Sequence, residues 1–423
     1  MNADAWDVVV IGAGAAGLLA AASAASRGRR TLLVEKNRKL GVKILISGGT
    51  RCNITHDANQ AGIAAGFAKY QGKFLRSALA AFPPERILSL LHEQGVATKV
   101  EATGKVFPVS DRAIDVRDAL VAFARLQRVV IEREVSVRAI DPVDGGFVIQ
   151  SDSPLGQLHA RRVIVACGGQ SYPGCGTIGE GYGWARRLGH TIVQPVPALT
   201  PIKSSARWLH EHSGLTLPDA ELLIVRNDAL ENHRISKAAV LERQRGSLLF
   251  THFGISGPTA LNASRAITRA DDRRDLRLAV DLVPAATPEV LLAEWQAAGA
   301  ADGKRAVSAL LSERLPRKLA VTVMAQAEVP TDRRIAELSK LERQWLVRAL
   351  KANLLEIDGT LGFTKAEVTA GGVALDEVHS KTLESRLVPG LHFVGEVLDI
   401  DGLIGGYNFQ AAFSTGWSAG AAV

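Results

Sequence analysis

The hydrophobic pattern is sharpest near the start of the chain. Asp7-Val8-Val9-Val10-Ile11 is a continuous apolar run behind one acid, the length of a buried strand. Gly12-Ala13-Gly14-Ala15-Ala16-Gly17 comes next and opens an alanine-rich stretch, read as a glycine turn and the start of a helix. A second apolar run, Thr31-Leu32-Leu33-Val34, ends at Glu35, eighteen positions after Gly17. Strand, turn, helix, strand and terminal acid in this register predict a dinucleotide-binding βαβ unit. In such a unit Gly12 permits the tight turn, Gly14 admits a diphosphate to the backbone, and Gly17 lets helix and sheet close up. The unpaired N–H groups of the first helical turn, beginning at Ala15 and Ala16, face the phosphates, and Glu35 accepts from a ribose hydroxyl.

Further along, Lys43 to Asn53 forms a second glycine turn. Ser47, Thr50, Arg51 and Asn53 there can bond a phosphate, ribityl or ring carbonyl, with Gly48, Gly49 and Cys52 lining the same turn. Helical spacing marks 74–82, 86–96 and 113–126, and residues 101–108 read as a hairpin turning at Gly104-Lys105. Alternation predicts strands over 129–140 and 146–150, joined by a turn at 141–146. Arg161 to Ala166 is another buried strand, running into Gly168-Gly169 and returning to the first sheet. Gly174-Cys175-Gly176-Thr177-Ile178-Gly179 repeats the G-x-G-x-x-G spelling, but no strand ending in an acid comes after it. Those residues instead lead into a helix over 182–189 in the same domain.

Composition shifts at Pro195. Short alternating strands at 220–226, 247–251 and 275–282 predict a β-rich insertion over 195–285. Helical patterns at 287–297, 304–314, 316–327, 332–338 and 342–352 predict a helical subdomain over 286–357. Strand-like 366–370, a last buried strand over Leu391–Val394 and a closing helix over 408–422 complete the first domain, giving it the parts 1–194 and 358–423. The last block carries chemistry in order: Gly395-Glu396, then Asp399 and Asp401, then Gly406-Tyr407-Asn408-Phe409 at a helix start. Glu396 can accept from a ribityl hydroxyl. The helix N-terminus near Phe409 and Gln410 can stabilise negative charge at a flavin pyrimidine edge. NAD does not need a distant second half of this kind, whereas FAD is long enough to reach one.

With 423 residues the chain exceeds a single simple core. The net charge of +7 and pI near 9.4 are compatible with nucleic acid or with a polyanionic cofactor. Basic residues are spread out, and in the arginine-rich 312–348 they alternate with Glu and apolar residues, as on solvated helix faces. That weighs against a nucleic-acid partner and for a small-molecule substrate. Three cysteines, Cys52, Cys167 and Cys175, form no C-x-x-C pair, and no metal site is expected; His210 and His212 lack a third ligand. Residues 8–25 are apolar, but Asp4 and Asp7 precede them without Lys or Arg, so neither a signal peptide nor a membrane span is expected, and the cytoplasm is. The oligomeric state is left open.

Five motifs together resemble a known family: K-I-L-I-S-G-G-T-R-C-N (43–53), S-Y-P-G-C-G-T-I-G-E-G-Y (171–182), L-L-F-T-H-F-G-I-S-G-P (248–258), E-V-T-A-G-G-V (367–373) and G-E-V-L-D-I-D-G-L-I-G-G-Y-N-F-Q (395–410). The chain resembles the BaiN-like, aminoacetone oxidase-like FAD-dependent oxidoreductases, which are more distantly related to fumarate-reductase-type flavoproteins. The resemblance implies an α/β fold: a discontinuous Rossmann-like FAD-binding domain with an inserted β-barrel-like and helical region. It implies FAD contacts near Gly14, Glu35, Lys36, Arg51, the backbone of Val135, Glu396 and Asn408. Thr50 departs from the family's usual glycine and Glu180 from its usual Asp. The expected activity is an FAD-dependent oxidoreduction with NAD(P)H as donor, reducing a small organic substrate such as a conjugated C=C bond. Flavin-dependent amine oxidation, a flavin-containing RNA-modifying protein and a flavin-binding structural protein are the alternatives. His252, Tyr407, Asp399 and Asp401 are the candidates beside the reacting ring, without assigned roles.

Overall fold

The computed structural model describes residues 5–227, 230–231 and 234–423, so Asp4 lies outside the described residues. The chain forms two compact units, Met1–Pro197 with Phe363–Val423, and Ala198–Gly362.

In the first unit, strand β1 (Trp6–Ile11), helix α1 (Ala15–Ala25) and strand β2 (Thr31–Glu35) match the sequence pattern. Val8, Val9 and Val10 of β1 are completely buried, as strands covered on both faces require. A parallel sheet runs Val130–Arg133, β2, β1, Gln157–Val165. The long strand Gln157–Val165 is shared on its other edge. Its first half pairs antiparallel with Gly146–Ser151, and its last three residues pair in parallel with Leu391–Phe393. Residues from the far end of the chain thereby enter the N-terminal sheet.

The closing helix Tyr407–Ala422 lies against α1 at backbone distance. A Cβ on Gly416 would stand 2.2 Å from the carbonyl oxygen of Ala16, and one on Gly420 2.2 Å from that of Ala20. Only glycine fits at either crossing.

Two local expectations change, and a third holds with a shifted boundary. The strand over 129–140 breaks into Val130–Arg133 and Val137–Val143 because Glu134 is left-handed, with φ 61°. Val135 therefore sits in a bend rather than on an alternating strand, and its N–H donates to the Glu35 carbonyl at 3.0 Å. The turn at 141–146 tightens to Asp144-Gly145 as both flanking strands lengthen. The G-x-G-x-x-G at 174–179 becomes a 3-10 turn (Pro173–Cys175) and the lead into helix Glu180–Arg187. Gly181 in that helix packs so closely that a Cβ would come 2.6 Å from Cys167 Sγ, which ties the segment to the first unit.

The second unit holds an antiparallel sheet in the order 353–355, 276–281, 216–226, 240–251, 254–256, 202–203, 359–360. Helices Pro288–Ala301, Arg317–Gln326 and Lys340–Lys351 match the periodic stretches, whereas the pattern over 304–314 forms only the short helix Val307–Leu311. The pattern over 332–338 yields only a 3-10 turn, Ile335–Glu337, between Pro330 and Ser339. Leu222, Phe250 and Leu278 of the sheet share one core with Leu291, Leu319 and Leu346 of the helices.

His392 tests how the last strand is held. Its ring is fully buried; Nδ1 lies 3.0 Å from the Thr382 carbonyl and Nε2 has no partner. Burial pushes its pKa down to about 4. The unfolded chain takes up this proton near pH 6.5 and the folded one only near 4, so stability falls as pH drops through that window. The expected loss is about 3 kcal/mol. Urea unfolding between pH 7 and 4 checks it: His392→Phe removes this component of the slope, and an unchanged slope contradicts the assignment.

Candidate functional site

The site is built where β1, β2 and the Gly395 turn end on the same edge of the sheet. Gly12 turns the chain with φ 105°, and its N–H donates to the Val34 carbonyl at 2.8 Å. A Cβ on Gly17 would lie 1.8 Å from the Gly12 carbonyl oxygen, so the turn and the helix touch through backbone. Gly14 is different. It is the N-cap of α1, without a side-chain cap, and an added Cβ meets no atom within 4 Å. Open space before uncapped amides is what an incoming phosphate needs. Ala15 and Ala16 begin the helix behind it.

Glu35 is buried and held in place from two sides. Ala13 N–H donates to Oε2 at 2.8 Å; Asn37 donates to Oε1 through its backbone at 2.9 Å and its side chain at 2.8 Å. A carboxylate has about four acceptor positions, so it can still receive a ribose hydroxyl. Lys36 points elsewhere, into an ion pair with Glu180.

The second glycine turn forms inside a segment, α2 (Val42–Thr50), whose helical geometry breaks at Ser47, Gly48 and Gly49. Gly48, Gly49 and Thr50 are all left-handed, Thr50 with φ 69°. A β-branched residue there carries strain of about 1–2 kcal/mol, which the usual glycine avoids. Ser47 Oγ donates to the Ile44 carbonyl and its own carbonyl accepts from Cys52 N–H. Asn53, with its amide oriented to suit its neighbours, bridges the Thr55 carbonyl and the Gly406 N–H. Arg51 is committed to Glu101 at 2.7 Å and stacks 4.0 Å over Phe107. The Cys52 thiol is fully buried, which pushes its pKa up to about 12, so it is a packing group rather than a reactive thiolate.

From the C-terminal half come Gly395 and Glu396. Gly395 has φ 71° and faces Ala16, whose Cβ would be 2.9 Å from one added there. Glu396 Oε1 accepts from Ser171 Oγ at 2.6 Å and Thr369 N–H at 3.0 Å, while Oε2 is paired with Lys43. Gly168 supplies a left-handed turn beside Thr177. The closing helix starts at Tyr407 after Gly406, again without a side-chain cap, so its first amides through Phe409 are open. Asn408 is occupied: its side chain accepts from Gly402 N–H and donates to the Gly402 and Leu403 carbonyls.

The candidates beside the ring separate. Asp399 and Asp401 are buried; Tyr70 and Gly371 bond the first and Gln71 the second, so they hold the loop. Tyr407 stacks on His56 at 4.8 Å and meets Phe67 edge-on. His252 lies in the second unit, exposed and against Phe253. Lys43, Ser171, Thr369 and His56 were not singled out by residue reading. All four sit inside or next to quoted motifs, but only the fold shows them meeting Glu396 and Tyr407. Two uncapped helix starts, open space at Gly14 and two anchored carboxylates fit FAD.

The HI0933-like protein Rossmann domain model matches residues 6–422. The chain belongs to this family of FAD-dependent oxidoreductases. It is 34% identical over 420 residues to the 3-dehydro-bile acid delta(4,6)-reductase of Clostridium scindens, covering 98% of each chain. It is 31% identical over 413 residues to the ribosomal RNA dihydrouridine synthase of Escherichia coli, covering 98% of this chain and 96% of that one. The Haemophilus influenzae protein of the same name is 32% identical over 416 residues, with 97% and 96% covered. Among solved structures, a 3-ketosteroid-delta4-(5alpha)-dehydrogenase from Rhodococcus jostii RHA1 matches with TM-score 0.48 at 18% identity, over 99% of this chain and 98% of that one. No described helix is long and apolar enough to cross a membrane.

Gly14 and Gly17 give opposite expectations. Gly14→Ala leaves apoprotein stability within about 0.5 kcal/mol, since the methyl enters free space, and weakens FAD binding at least tenfold. Gly17→Ala lowers the melting temperature of the apoprotein itself. Thermal unfolding and flavin titration of the deflavinated protein check both; a Gly14→Ala protein with unchanged Kd removes the phosphate from this position.

Proposed function

We propose that this protein is an FAD-dependent reductase of C=C bonds conjugated to a carbonyl, with NAD(P)H as electron donor. The observation that carries the reading is the bond shared by its end-to-end relatives. One is named for reducing delta(4,6) unsaturation in a 3-dehydro-bile acid and two for making dihydrouridine. A 3-oxo-diene and a uracil ring both present a C=C bond polarised by a carbonyl. When bound, the flavin supplies a two-electron carrier that accepts and passes on hydride.

The chain's own residues supply position and charge. The first-turn amides of α1 would hold the diphosphate, and Glu35 the adenosine ribose. Glu396 would take a ribityl hydroxyl, its orientation set by Lys43, Ser171 and Thr369. The open amides of the closing helix would favour negative charge at the ring's pyrimidine end. Tyr407, stacked on His56, offers an aromatic wall whose phenol stays protonated, because burial raises its pKa.

Anaerobic titration with NADH and NADPH is expected to bleach the bound flavin, and a 3-oxo-4,6-diene steroid or unmodified ribosomal RNA to restore its colour. A flavin bleached by neither nicotinamide ends the NAD(P)H reading.

One observation favours RNA as the substrate. Lys69, Lys73 and Arg76 share the exposed face of helix Lys69–Ala81 and make no ion pair with any described residue. Tyr70 and Gln71 of the same helix hold Asp399 and Asp401, so the basic stripe borders the site. Replacing all three by Ala is expected to reduce the slope of log affinity against log salt for RNA by about 2–3, leaving steroid turnover unchanged. A wild-type protein without salt-sensitive RNA affinity removes this reading.

A further inference from the structure

An RNA bound at this site has to be held by its phosphates and by the bases it leaves unpaired. Helix Lys69–Ala81 carries a group suited to each. Lys69, Lys73 and Arg76 form an exposed stripe, and no carboxylate among the described residues pairs with these three cations. Tyr70 shares that face one turn before Lys73, and it is 50% exposed.

The Tyr70 ring is anchored as well as exposed. Its hydroxyl donates to Asp399 Oδ2 at 2.9 Å, and the buried Asp399 also accepts from Gly371 N–H at 3.1 Å. Gln71, the next residue, donates to the Asp399 carbonyl at 3.0 Å and to Asp401 Oδ1 at 2.9 Å. With the phenol end fixed on a buried acid, the part that water reaches is the ring. A partner that stacks there has little side-chain freedom left to freeze.

The start of the helix is keyed to the aromatic wall of the site. Phe67 bridges Gly402, and Leu403 N–H donates to the Gly66 carbonyl at 2.9 Å. A Cβ on Gly66 would lie 2.3 Å from Tyr407 Cδ1, and Tyr70 follows that contact by four residues. A base must leave its stack before an enzyme can act on it, so its neighbours lose a stacking partner. An aromatic face replaces that partner for any base, while cations alongside take the phosphates. An acidic peptide would meet the cations alone, whereas the repeat of planar base and phosphate matches ring and cations together.

We propose that Tyr70 is the stacking platform for an unpaired base of a single-stranded RNA segment whose phosphates lie on Lys69, Lys73 and Arg76. The inference rests on the RNA reading above and adds to it a subsite that charge alone does not make.

The test measures binding of FAD-loaded protein to unmodified ribosomal RNA, to a uridine-rich RNA single strand, and to that strand annealed to its complement. Tyr70→Leu is expected to weaken binding to the first two about tenfold or more, and to the duplex by less than about twofold. Tyr70→Phe keeps the ring and loses the Asp399 bond; it stays within about threefold of wild type, and Tyr70→Trp at least matches wild type. Stacking is not ionic. In Tyr70→Leu the slope of log affinity against log salt is therefore unchanged, whereas Lys73→Ala lowers it by about 1. A second readout needs no variant: wild type irradiated with the single strand carrying 5-iodouridine is expected to cross-link at Tyr70, as read by peptide mass spectrometry. Unchanged affinity in Tyr70→Leu, an equal loss on the duplex or in Tyr70→Phe, or a cross-link mapping elsewhere each overturns the platform alone. So does a wild type that binds ribosomal RNA but not the single strand. Polyglutamate that displaces the single strand as well as an RNA of equal charge does assigns the stripe to an acidic peptide and overturns the platform too. A wild type without salt-sensitive affinity for any of the three RNAs overturns the RNA reading, and the platform with it.

Discussion

Everything at this site depends on two helices from opposite ends of the chain touching through their backbones. Gly416 and Gly420 meet the carbonyls of Ala16 and Ala20 at distances no side chain allows. The closeness brings Gly395 onto Ala16 and the start of the closing helix to the Thr55 backbone. Any side chain at Gly416 would separate the halves by a methyl group or more, and a packed interior does not absorb that locally. Strand Leu391–Phe393 reinforces the same junction by pairing with residues Val163–Val165.

That junction sets the electrostatics. Two uncapped helix starts, α1 and the closing helix, belong to one unit and leave their first amides unspent. Carboxylates are placed around them, but nearly all are neutralised by a lysine, an arginine or backbone donors. Such a surface accepts a polyanion without presenting bare negative charge to it. The proposed steroid and RNA readings draw on this machinery alike, since both propose a C=C bond conjugated to a carbonyl; the exposed Lys69–Lys73–Arg76 face bears on the second proposal alone.

The first βαβ unit was readable from sequence because each of its residues answers to local physics. Gly12 needs positive φ, Gly17 needs a missing Cβ, and a buried strand needs an apolar run. The rest was hidden for an equally physical reason. Lys43, Ser171, Thr369 and Glu396 form one cluster from positions up to 353 residues apart, and no periodicity encodes that meeting. Val135 was misplaced because a single left-handed residue, Glu134, interrupts an alternating pattern that gives no sign of it. Helix periods in 304–314 and 332–338 ran longer than the helices formed, since a pattern states which face is buried and not where the turn stops.

The polar residues of the last motif show the same limit in sharper form. Asp399, Asp401 and Asn408 look like ligands because they are charged or amide groups in a glycine-rich loop. Each is instead spent on the loop itself, bonded to Tyr70, Gln71, Gly371, Gly402 or Leu403. This serves binding indirectly. Ordering a loop when a ligand arrives costs about 1–2 kcal/mol per residue in backbone entropy alone, and a loop stapled beforehand has already lost that freedom in folding. The groups left over for a ligand are then those the fold holds rigid but does not satisfy: the amides at Gly14 and Tyr407 and the spare lone pairs of Glu35 and Glu396.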